Sequence, residues 1–217
     1  MNEASGLVDT QWPLEPVSDA FEFTRKPRGR APQGQTIPFY PMDRIPQGGK
    51  IRVRDWENRP VEKLGSGTYV EKGDLMVAKI TPSFENGKQA IADLDEEFGY
   101  ATTEVIPLRG IPGKGWTEYL HFILFHPELR TGLAGKMEGS TGRQRLSKGV
   151  LSETPIPLPP LPEQKKIAHI LSTVQRAIEE QEKIIQTTTE LKKALMPKQG
   201  SFHRRFFSLG HYLASIF

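Results

Sequence analysis

The chain has 217 residues, no cysteine and a formal net charge of +3. That length accommodates one well-buried globular domain with an appendage, and without cysteine there is neither a disulfide framework nor a thiolate metal site, so a cytoplasmic setting is the simplest expectation. No apolar stretch approaches the roughly 20 residues that cross a bilayer, the N-terminus lacks the apolar core of a signal peptide, and no membrane partner is expected.

Residues 1–20 carry little pattern and read as a loose lead-in. The segment 24–35, Thr-Arg-Lys-Pro-Arg-Gly-Arg-Ala-Pro-Gln-Gly-Gln, is basic, breaker-rich and loop-like. Residues 24–63 are rich in Lys and Arg, whereas 91–104 holds Asp93, Asp95, Glu96, Glu97 and Glu104 without a base. One face is therefore expected to meet a polyanion while another repels it. Ile51-Arg-Val-Arg54 alternates as a half-buried strand with both arginines on one side. Asp74 to Ile80 and Lys88 to Asp93 read as strands, and Asn86-Gly87 between them is a favoured hairpin pair, with a longer loop around Pro82. Thr102 to Leu108 makes a third strand. Residues 116–134 read helically with a break at Pro127, and Ser140 to Ser147 is a polar loop. Strands with intervening helices predict a mixed α+β domain with a twisted sheet, ending near residue 154.

The run from Leu151 to Met196 is the most informative. Prolines at 155, 157, 159, 160 and 162 favour an extended, stiff connector. Pro162 suits the first helical position and Glu163 the positive end of the helix dipole. From Glu163 to Met196 no Pro or Gly interrupts a helix of roughly 50 Å at about 1.5 Å per residue. Ile167, Leu171, Val174, Ile178, Ile185 and Leu195 form a heptad-like seam with polar breaks at Gln181 and Thr188, and Ile170, Ile184 and Leu191 lie beside it. Its near-balanced charge makes it a poor DNA wrapper and a good assembly handle. The plainer alternative is an amphipathic helix folded onto its own domain.

Catalytic sets are missing. The chain has no G-x-x-x-x-G-K-[ST] phosphate loop and no H-E-x-x-H helix. His121 and His126 read as packing or helix-end residues, and no metal site is expected. Asp74 with Glu85 and Lys88 imitates a Mg²⁺-dependent nuclease, but the spacing across a turn is not a compact metal arrangement. What remains suits reading nucleic acid, since Arg and Lys meet phosphates and Arg, Gln and Asn can pair with base edges. The candidate DNA contacts are Arg52 and Arg54; Lys79, Thr81, Ser83, Asn86 and Lys88; and Ser140, Thr141, Arg143, Gln144 and Arg145.

Gly73-Asp-Leu-Met-Val-Ala-Lys-Ile-Thr-Pro82, Gly139-Ser-Thr-Gly-Arg-Gln-Arg-Leu-Ser147 and Ile156-Pro-Leu-Pro-Pro-Leu-Pro-Glu-Gln-Lys-Lys-Ile-Ala168, in this order, resemble specificity subunits of type I restriction-modification systems, over approximately residues 35–197. The resemblance implies a target recognition domain over 21–154, a connector at 155–162, and a conserved helix at 163–196 that serves as spacer and coiled-coil dimerisation element. It implies a non-catalytic subunit that reads half of a bipartite duplex target and directs adenine methylation, or restriction, by methyltransferase and restriction subunits. S-adenosylmethionine, ATP and Mg²⁺ would then sit on those partners, with no cofactor on this chain. Full-length members carry two recognition domains and two such helices. One of each here implies a homodimer through the helix that reads an interrupted palindrome, or else a truncated product. The tail at 197–217 leaves the heptad and does not match the usual family continuation; it is either a frameshift product or a second basic-aromatic surface. A coiled-coil adaptor with a protein-binding head and a stand-alone Mg²⁺-dependent nuclease using Asp74 and Glu85 are the other readings.

Overall fold

The computed structural model describes residues 12–32, 34–140 and 142–196. The tail at 197–217 and Thr141 lie outside them. The chain divides into two compact units after Gln175.

In chain order, the first unit has strands β1 (Leu14–Pro16), β2 (Phe21–Phe23), β3 (Thr36–Tyr40), β4 (Arg52–Val53), β5 (Glu57–Pro60), β6 (Thr68–Glu71), β7 (Leu75–Ala78), β8 (Gln89–Ala92), β9 (Phe98–Ala101) and β10 (Val105–Gly110). Helices α1 (Thr117–Phe125), α2 (Pro127–Ala134) and α3 (Lys148–Glu153), strand β11 (Pro155–Pro157) and the long helix α4 (Leu161–Leu195) follow. They build a five-stranded sheet ordered β2-β10-β7-β8-β4, a four-stranded sheet ordered β5-β3-β9-β6, and a two-stranded β1-β11 ribbon. Both larger sheets are mixed: β4 runs parallel to β8 and β3 parallel to β9, while the other pairs are antiparallel. The α+β expectation therefore holds.

The central strand β7 reads Leu-Met-Val-Ala without a polar interruption because both of its faces are covered. Leu75 and Val77 join Ile106, Leu108, Leu120, Leu124 and Leu133 in one apolar cluster; Met76 joins Tyr40, Val53, Ala92 and Val105 in another. Each fully buried leucine here stabilises the fold by about 1.5–3 kcal/mol. The hairpin expected at Asn86-Gly87 exists as β7-β8 joined by a longer loop, in which Gly87 takes φ +74°. The helical stretch breaks where Pro127 opens α2, its absent N–H costing nothing at that position.

Three expectations need correction. Residues 12–20 are not a loose lead-in: β1 pairs with β11, and Val17 and Ala20 are buried. The proline run is extended as expected but is no free connector. Pro155–Pro157 is a sheet strand, Ile156 is fully buried, and Tyr119 Oη donates to the Pro157 carbonyl at 2.7 Å. The domain thus continues past 154 into the base of α4, where Gln164 and Ala168 are buried. Ile167 packs against the domain core rather than standing on an open seam.

The second unit contains the distal part of α4. Ile178, Ile184, Ile185, Leu191 and Leu195 are all exposed there, as are Gln181 and Thr188.

Candidate nucleic-acid interface

Two loops carry most of the candidate contacts, and the fold brings them side by side. The first joins β7 to β8 through residues 79–88 and is held by its own backbone. Phe84 N–H donates to Ile80 O, Asn86 N–H to Pro82 O, Gly87 N–H to Phe84 O, and Lys88 N–H to Ser83 O, at 2.9–3.0 Å. Phe84 drives its ring into the core, and Glu85 and Asn86 remain exposed at the tip. The second loop reverses between Glu138 and Arg145, which exchange backbone hydrogen bonds at 3.1 and 2.8 Å. Gly139 and Gly142 make the reversal with φ of +136° and +78°, values that side-chain-bearing residues rarely adopt. Leu146 N–H donates to Lys79 O at 2.7 Å, and both the N–H and the hydroxyl of Thr81 donate to Gln144 O, at 3.0 and 3.1 Å. Thr81 thus couples the loops.

Charge on this paired surface is partly committed. Arg145 holds Glu104 through two hydrogen bonds of 2.9 and 2.8 Å, and these keep the Glu104 carboxyl below its usual range. Lys88 Nζ donates to the Met42 carbonyl at 2.8 Å. Arg143, Ser140 and Asn86 are exposed, while Lys79, Thr81, Ser83 and Gln144 are half-buried.

Arg52 and Arg54 are not part of this surface. β4 aligns Arg52 with Ile91 and Val53 with Ala92, so both arginines lie towards the end of β8 remote from Lys88, about 3.3 Å further per residue. Each is already paired: Arg52 with Glu118 at 2.5 Å, and Arg54 with Asp95 at 2.6 Å and Asp93 at 3.7 Å. Arg30 likewise meets Glu97. The acidic 91–104 run and the basic 24–63 region therefore interleave instead of forming opposed faces.

The nuclease imitation also fails. Asp74 precedes β7 and Glu85 lies beyond its other end, in the loop after Ala78. Asp74 is buried, accepts from Glu71 N–H at 2.7 Å and pairs with Arg109 at 2.5 Å. Burial raises its pKa even beside that guanidinium. Asp74 follows a turn at Gly73, which takes φ +90°, and stands before β7 rather than in it. Among the described residues no group of three or more His, Asp or Glu could hold a metal ion.

Some structural residues escaped the sequence reading. A buried polar set lies under the first loop: Gln89 Nε2 donates to His121 O at 2.7 Å, and Arg130 Nη2 donates to Gln89 Oε1 at 3.2 Å. At the base of α4, Gln164 accepts from Trp116 N–H and donates to Lys114 O and Pro159 O, all at 2.9 Å. The Pro-Glu-Gln run was its only signal.

Residues 34–188 match the family profile described as the type I restriction modification DNA specificity domain. The chain belongs to this family. Over 138 residues it is 33% identical to the EcoAI type I restriction enzyme specificity subunit of Escherichia coli, covering 61% of this chain and 23% of that one. It is 32% identical over 143 residues to the EcoEI specificity subunit of the same organism, covering 64% and 23%. The specificity domain also resembles solved structures. A chain from a type I R-M system structure addressing complex assembly and conformational transition has a TM-score of 0.61 at 18% identity, over 89% of this chain and 46% of that one. The HsdS subunit from Thermoanaerobacter tengcongensis has a TM-score of 0.58 at 17% identity, over 74% and 41%. These likenesses confirm the α+β fold with its long helix. The chain spans about a quarter of the length of those curated relatives, and less than half of the solved chains. No helix among the described residues is long and apolar enough to cross a membrane.

Proposed function

We propose that this specificity domain reads base sequence in duplex DNA through the joined 79–88 and 138–146 loops. One observation carries the reading: two separate polar loops, Lys79–Lys88 and Glu138–Leu146, are hydrogen-bonded into one surface through Thr81, Gln144 and Lys79. Phosphate contacts come from Lys79, Lys88 and Arg143, and base contacts from the exposed amides and hydroxyls, Asn86 and Ser140 foremost. Thr141 belongs to the same loop by sequence. The chain catalyses nothing itself. It directs adenine methylation, and restriction, by methyltransferase and restriction subunits that carry S-adenosylmethionine, ATP and Mg²⁺.

The apolar seam of α4 is the assembly surface in this reading, its partner a second copy of the chain. Leu171, Val174, Ile178, Ile185 and Leu195 are 39%, 53%, 47%, 64% and 73% exposed. Two copies paired there would present two reading surfaces to an interrupted palindrome. Titration of duplex DNA against the purified chain at several salt concentrations tests the reading. Affinity should fall with a log–log slope of about 0.9 per phosphate contact, and a preferred sequence should emerge over competitor DNA. Indifference to every duplex, alone and with methyltransferase subunits, would end it.

A further inference from the structure

Under the tip of the 79–88 loop lies a buried cation for which the described residues supply no anion. Arg130, on α2, is 8% exposed. Burial pushes its pKa down to about 10, and no carboxylate among the described residues holds it up. Its Nη2 donates to the Leu124 carbonyl at 2.8 Å and to Gln89 Oε1 at 3.2 Å, while Nε has no partner among the described residues. The guanidinium lies 4.7 Å from the Phe125 ring centre and 5.9 Å from that of Phe84. Its Nη1 is pressed against Gly87: a Cβ there would stand 2.1 Å from Nη1 and 3.0 Å from Phe125 Cε2.

An unpaired buried charge opposes folding, and ring faces and neutral acceptors offset it only in part. An apolar side chain of similar length would fill the same space at lower cost. What the guanidinium alone offers is geometry. One planar group reaches α1 through Leu124 O, β8 through Gln89, and the loop through both Phe84 and Gly87. The loop bonds its own backbone internally, and it is placed on the domain by the Phe84 anchor, the Arg130–Gly87 contact, the seam with Gln144, and Lys88 through its bridge to Gln47 and its Nζ on the Met42 carbonyl.

We infer that Arg130 is a positioning residue, which sets the 79–88 loop in the geometry that discriminates DNA sequences and is kept at the expense of stability. The inference rests on the proposed reading of DNA by that loop. It separates selectivity from stability, and the two move in opposite directions.

The test selects duplexes from a random-sequence pool with the full chain, then compares affinity for the selected and a scrambled duplex. For Arg130→Met, the thermal midpoint should hold or rise while the affinity ratio falls by roughly tenfold or more, the scale of one lost base discrimination. Arg130→Lys, which keeps the charge but not the planar fork, should not restore the ratio. An Arg130→Met chain that selects the same bases at an unchanged ratio overturns the inference, whatever its midpoint. An Arg130→Met chain that does not fold refutes the cost to stability, and Gly87→Ala then decides the positioning role. The same loss of selectivity in a folded chain supports the positioning role, and an unchanged ratio refutes it. A wild-type chain without any preferred sequence sinks the parent reading and this inference with it, and is recognised before any variant is compared.

Discussion

The backbone N–H of Trp116 donates to Oε1 of Gln164 at 2.9 Å, across 48 residues of chain. The same side chain donates to the carbonyls of Lys114 and Pro159, so each polar atom of a fully buried amide is satisfied. Lys165 lies 4.9 Å from the Trp116 ring centre beside it. This clasp, with Tyr119 Oη on Pro157 O, binds the connector and the base of α4 into the domain. Gln164→Leu would leave one N–H and two carbonyls without their partner, at a cost of about 2–4 kcal/mol. Urea unfolding should therefore show a lower midpoint with an unchanged slope. A change under about 0.5 kcal/mol would place the anchorage elsewhere.

The Glu104–Arg145 pair makes a different kind of prediction. Arg145 is half exposed and neutralised by Glu104 on the proposed reading surface. Glu104→Gln should release that guanidinium towards phosphate, strengthening binding to any duplex and steepening the salt slope by about 0.9. Lys79→Ala and Arg143→Ala should each flatten it by a similar amount. Arg52→Ala, already paired to Glu118 at 2.5 Å and remote from the loops, should leave the slope alone. Equal responses from Arg52 and Arg143 would move the DNA surface to the β4 edge.

His121 ties acidity to stability. Burial disfavours its imidazolium, the Gly49 carbonyl partly offsets this, and Arg130 adds repulsion, leaving the pKa at about 4 against an ordinary 6.5. Between those values the unfolded chain holds a proton that the folded chain refuses. Stability therefore falls as pH drops from about 6.5 towards about 4, by at most about 1.4 kcal/mol per unit. His121→Gln should flatten this dependence. Subtracting the two denaturation series removes the contribution of Glu104, whose carboxyl Arg145 keeps below its usual range. Parallel series for the two proteins would mean that His121 does not control this window.

Much of the fold was legible wherever burial was two-sided or a breaker was decisive. Leu75–Ala78 reads as a strand because both faces are covered, and Pro127 divides α1 from α2 for a reason internal to proline. Strands β2, β3 and β5 were not legible. Phe21-Glu-Phe is too short to show a period, β3 contains Pro38, and Glu57-Asn-Arg-Pro carries no apolar side at all. The loops were identified by composition, but their union depends on the register that sets Lys79 beside Leu146 and Thr81 beside Gln144, which no local pattern encodes. Arg52 and Arg54 illustrate the converse: their type suited DNA, yet Glu118 and Asp95 are distant in sequence and close in space. Ile167 fits the heptad and still packs on its own domain, since periodicity marks an apolar face without naming what covers it.

That distinction decides the last prediction. Ile178 and Ile185 lie in the second unit, 47% and 64% exposed, on the continuation of the seam. Surface isoleucines one heptad apart, with Leu171 one heptad before them and Leu195 on the companion register of Val174, are more than a scatter of single exposed side chains and call for a covering partner. Ile178→Glu with Ile185→Glu places charges on that seam without touching the clusters that hold the domain. Light scattering should find two copies per particle in the wild type and one in the variant, with thermal unfolding of the domain preserved. Ile167→Ala should behave in the opposite way, lowering the unfolding midpoint by removing part of a packed side chain while leaving the particle mass at two copies. A wild-type particle of one copy at all concentrations would assign the seam to a different protein, with methyltransferase subunits the first to be tested by co-purification.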